Sequence, residues 1–74
     1  MNVILATREI MKSRAVGVNM LADRLGIKQN VLSERLRHEN ISVNKLSEML
    51  RLLDYKIILV PRETRLPEGG FEVE

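Results

Sequence analysis

Cysteine is absent from the 74-residue chain, and histidine occurs once, at His38. Disulfides and thiolate metal sites are therefore excluded, and a single imidazole builds no metal site alone. No internal repeat or low-complexity tract is present. The pair Gly69-Gly70 lacks the Lys-Ser/Thr that completes a phosphate-cradling loop. No convergent set of carboxylates, histidines or nucleophiles is spaced for acid–base or covalent work. These absences point away from an enzyme and imply no cofactor. Long apolar runs are missing too: the N-terminal one is broken at Arg8 and Glu9, far too early for a membrane span. Nor does it have the composition of a secretory signal. The expectation is a soluble, cytoplasmic protein that does not enter a membrane.

At this length a single small domain is expected, with a modest core usually helped by self-association when disulfides and metals are missing. The net charge is +2, but it is unevenly spread. Residues 1–62 hold eleven Lys and Arg against six Asp and Glu, whereas residues 63–74 hold one Arg against four Glu. A basic body with an acidic tail suits a polyanionic partner; an ordinary solvated surface would account for it equally.

Apolar spacing predicts four helices, at about 3–14, 18–25, 29–37 and 43–53. Val3, Ala6 and Ile10 share a face of the first, with Met11 beside them, and Asn2 is its expected N-cap. Ser42 caps the fourth, with Ile41 and Leu46 placed as a staple across the cap. Leu46, Met49, Leu50 and Leu53 form one apolar stripe, read as core or dimer packing. After Asp54 the pattern changes: YKIILV, closed by Pro61, reads as a strand over 55–60. FEVE at 71–74 is a possible second strand or a frayed tail. The fold class expected is mainly α, about four helices followed by a C-terminal strand or short hairpin. Tyr55, Ile57 and Leu59 fall on one strand face and Lys56, Ile58 and Val60 on the other. Apolar residues on both faces favour pairing with a twofold copy, with an intramolecular hairpin as the alternative.

The stretch LADRLGIKQNVLSERL, residues 21–36, carries the functional signal. Two short helical patterns flank Gly26, which can adopt the left-handed conformation of a helix end. Ala22 allows close helix approach, Ile27 plugs the corner, and Leu21, Leu25, Leu32 and Leu36 face inward. This is a helix-turn-helix pattern. Gln29, Asn30, Ser33 and Arg37 then form one outward stripe on the second helix. Gln and Asn can pair bidentately with adenine, Ser can donate or accept, and Lys28 suits a phosphate or a guanine. Lys28, Arg35, Arg37 and Lys45 are candidate phosphate contacts. Arg24 and Arg51 read as solubilising or paired with Asp23 and Asp54. His38 reads as a loop residue with a phosphate contact open to it.

VGVNMLADRLGIKQNVLSERL resembles the lambda-repressor/Cro class of helix-turn-helix regulators, the XRE family. The matching features are Gly17, Leu21-Ala22, Leu25-Gly26-Ile27, Gln29 and the Leu32/Leu36 pair. The resemblance covers residues 3–60 as a pattern and 16–36 as a motif. It implies a homodimeric regulator of transcription, a repressor in its simplest form, that binds double-stranded DNA at a palindromic operator and is at home in a prophage or mobile element. It implies base contacts at Gln29, Asn30 and Ser33, with further contacts near Lys28, Val31 and Glu34. It also implies backbone contacts at Asn19 and in the segment from His38 to Lys45. Two positions depart from the pattern: Val18 stands where a Gln is common, and Glu34 is acidic within the reading helix. Glu34 could accept from cytosine, repel the backbone, or pair with Lys28 or Arg37. A different class of reading is an antitoxin-like protein whose strand or tail binds a partner protein.

Overall fold

A computed structural model describes residues 1–74 and contains four helices and no strand. They are α1 (Val3–Ser13), α2 (Val18–Leu25), α3 (Gln29–Arg35) and α4 (Val43–Arg51). The fold is small and all-α. No helix is long and apolar enough to cross a membrane.

Local chemistry sets the helix starts. The Asn2 side chain accepts from the Leu5 N–H at 2.9 Å, and Ser42 Oγ accepts from the Lys45 N–H at 3.2 Å. Each cap satisfies a donor that the first turn leaves without a partner. The ends share a different device. Ala15, Gly26 and Asp54 are all left-handed, with φ of 55°, 70° and 61°. In each case the next N–H returns five residues: Val16 to the Met11 carbonyl, Ile27 to Ala22, and Tyr55 to Leu50. Val16, Ile27 and Tyr55 then pack on the core, the apolar contact that accompanies such helix ends. Only Gly26 has the residue type that makes this conformation easy.

The core comprises Ile10 and Met11 of α1, Val16, Leu21 and Ala22 of α2, Leu32 and Leu36, and Leu46, Met49, Leu50 and Leu53. Of the leucines expected inside the helix-turn-helix corner, Leu21, Leu32 and Leu36 are buried, whereas Leu25 is only partly covered and packs with Ile27 at the core's margin. On α1 the buried face is wider than its apolar pattern, because Ile4 and Thr7 are buried too. Thr7 tolerates burial because its hydroxyl donates to the Val3 carbonyl at 2.7 Å. No buried side-chain polar atom lacks a partner.

The strands expected over 55–60 and 71–74 do not form in the single chain. No hydrogen bond within the chain reaches the backbone of residues 56–60. A strand needs a neighbour, and the intervening segment does not return one. It spends its bonds on two tight turns, Thr64 N–H to Pro61 and Gly70 N–H to Pro67. Tyr55 is held within its own chain. Its hydroxyl donates to the Gly69 carbonyl at 2.9 Å, Arg14 lies over its ring at 5.4 Å, and Phe71 approaches at 6.4 Å between centroids. Ile57, Ile58, Leu59 and Val60 stay exposed, Leu59 at 97%. The tail's last backbone bond joins the Glu74 N–H to the Met1 carbonyl.

Candidate nucleic-acid interface

Leu32 and Leu36, both fully buried, fix which way α3 faces. Helical spacing then turns Gln29, Asn30, Ser33 and Glu34 outward along its free side, and Arg37 follows in the turn just past its end, short of the helix expected to run to 37. They line an open, shallow concavity together with Val31, Arg35, His38 and, from α4, Lys45. Val31 is the one apolar residue in that lining. Lys28 and Asn19 are exposed but lie outside it, at the N-cap of α3 and in the first turn of α2.

The stripe is chemically uncommitted. The side chains of Gln29, Asn30 and Ser33 make no hydrogen bond within the chain; the side-chain bonds that do form engage other residues. Two amides and a hydroxyl thus stand on one helix face with both donors and acceptors free. Lys28 and Lys45 join none of the chain's three ion pairs. Arg24 and Arg51 join none either, so their expected pairing with Asp23 and Asp54 is not formed.

Three contacts brace this face. Arg35, expected as a free cation, is instead largely covered and pairs with Glu48 of α4 at 3.2 Å. Arg8 of α1 donates to the Leu36 carbonyl at 3.1 Å, across 28 residues of sequence. It supplies a charged donor at the end of α3, where carbonyls lack helical partners and the dipole is negative. Asn2 Nδ2 reaches Glu39 at 3.2 Å, tying the start of α1 to the α3–α4 loop. Neither Arg8 nor Glu48 carries a signal in the sequence, because both act over distances that helical periodicity does not encode. Arg8→Ala is expected to lower stability by about 1 kcal/mol, or roughly 4–8 °C in Tm for a domain of this size, measured by thermal unfolding.

Glu34 is engaged on both oxygens. His38 Nε2 lies 2.9 Å from Oε1, and an Arg37 guanidinium nitrogen lies 3.6 Å from Oε2. Of the partners expected for Glu34, Arg37 is the one found, and His38 joins it in place of Lys28. His38 donates here, since a carboxylate only accepts. No group of three His, Asp or Glu side chains is placed to hold a metal ion. No family model, curated protein or solved structure matches the chain.

Proposed function

We propose that this protein is a dimeric, Cro-like helix-turn-helix regulator of transcription that lays α3 in the major groove of double-stranded DNA. The observation that carries the reading is the set of unengaged side chains on α3, Gln29, Asn30 and Ser33, beside an unpaired Lys45. Amide and hydroxyl groups read base edges, and cations on the same face bind phosphate. The left-handed Gly26 between α2 and α3 gives the corner such a motif requires. Repression follows as the simplest activity, since a bound dimer occludes its operator. The test is fluorescence anisotropy with a duplex from the gene's own upstream region against a scrambled duplex, at low and moderate salt. A salt-sensitive preference for the upstream duplex supports the reading; equal affinity for both sinks it.

The dimer in this proposal forms through the open backbone of residues 56–60. Pairing with a twofold copy satisfies those groups and covers Ile57, Ile58, Leu59 and Val60. Alternate N–H groups of an extended strand point to opposite sides, so either Ile57 or Ile58 faces the partner. Ile57→Pro and Ile58→Pro are therefore expected to split. One gives a particle near the 8.5 kDa of a single chain and the other stays dimeric by light scattering. Helical circular dichroism should be unchanged in both, because neither N–H is bonded within the chain. If both variants remain dimeric, the strand is not the interface. A wild type that stays monomeric would favour the second reading, an antitoxin-like protein whose open segment adds to a sheet edge of a different partner.

A further inference from the structure

Glu34 sits in the middle of a face otherwise suited to a polyanion, and its two oxygens already gather two donors from the end of α3. A phosphate would engage Arg37 and His38 in the same way, through oxygens accepting from a guanidinium and an imidazole. All three side chains are well exposed, at 59%, 71% and 62%, so these contacts are weak and exchange readily. The other charges nearby do not relieve Glu34: Arg35 is taken by Glu48, and Lys45 lines the concavity without joining an ion pair.

We propose that Glu34 determines specificity by acting as an internal phosphate. In the free protein it occupies Arg37 and His38. At a matching site those two groups transfer to backbone phosphates and the carboxylate is released; at any other site the carboxylate keeps them. Once released, it faces a dense array of negative charge and needs a donor. Two base edges supply one in the major groove, the exocyclic amines of adenine and cytosine; adenine sets its N7 acceptor beside the amine, which repels a carboxylate, so cytosine is the edge that fits. A site with that amine within reach of Glu34 accommodates the carboxylate; any other sequence leaves Arg37 and His38 on Glu34 and off the phosphates. Glu34 thus weakens binding to the wrong sequence more than to the right one.

The inference rests on the DNA-binding reading, and the experiment separates the two. Glu34→Gln keeps the length of the side chain and removes its charge. With scrambled duplex, E34Q is expected to bind several-fold tighter than wild type. Its salt dependence should be steeper, with the slope of log affinity against log salt larger by about 0.9, the value for the one phosphate that the Arg37 cation newly neutralises. Its preference for the upstream duplex should shrink. Adding Arg37→Ala in that background should return most of the extra slope, which a general change in folding would not do. If E34Q matches wild type in nonspecific affinity and slope while wild type still prefers its upstream duplex, the inference is overturned and the DNA reading stands. If wild type shows no preference and no salt dependence, both fall.

Discussion

Replacing Gln29 and Asn30 together with alanine is expected to abolish the preference for the upstream duplex and leave binding to scrambled DNA intact. Each bidentate amide–adenine pair discriminates by about 1–3 kcal/mol, so the pair carries roughly 2–6 kcal/mol per half-site. Since 1.4 kcal/mol is tenfold, the ratio of affinities for upstream and scrambled duplex should fall by at least about thirtyfold. The salt slope should not change, because neither residue is charged and the counterions released belong to phosphate contacts. Folding should not suffer either. Both side chains are exposed and unbonded, and alanine is the better helix former. Anisotropy titrations at two salt concentrations, with Tm as the folding control, measure all three expectations. A double variant that still prefers the upstream duplex would mean that these residues do not read bases.

The largest effect on stability is expected at Leu32→Ala. Leu32 is fully buried beneath the same helix that carries the candidate reading residues. Removing its side chain loses transfer free energy and leaves a cavity that the surrounding helices close only in part. Such changes cost about 2–5 kcal/mol, and a site without any exposure belongs near 3–4 kcal/mol. A domain of this length has about 4–11 kcal/mol in total, so much of the folded margin goes. Urea unfolding should show the midpoint fall with an unchanged slope, since the same surface is exposed on unfolding. A loss below about 1 kcal/mol would mean that the core around Leu32 is far more forgiving than its burial indicates.

The helices were legible because their determinants are local. Asn2, Gly26 and Ser42 announce the ends of elements through groups a few residues away, and leucines four apart announce the inward faces. The outward face of α3 was legible for the same reason: once Leu32 and Leu36 point in, Gln29, Asn30 and Ser33 point out. What the pattern could not give is anything that depends on a distant partner. Arg8 reaches Leu36 and Arg35 reaches Glu48 through tertiary geometry, and so a cation expected to be free on the surface turned out to be a brace. The two expected strands failed for a related reason. The β-branched run at 55–60 records a preference for an extended backbone, but a ladder requires a second strand that one chain does not bring to it. The left-handed Ala15 and Asp54 were invisible because their residue types do not advertise that conformation.

The bare segment at residues 56–60 also sets a ceiling on assembly. Four consecutive apolar residues, Ile57 to Val60, lie between Lys56 on one side and Pro61-Arg62 on the other. Stacked fibrils draw on uninterrupted segments of six or seven residues with low charge and no proline. Here the run stops short of that, a proline without an N–H closes it, and a cation stands at each end to repel its like in any in-register stack. In the proposed dimer the segment is long enough to pair with one strand and too short to propagate, so concentrated protein is expected to close into pairs rather than grow into fibres.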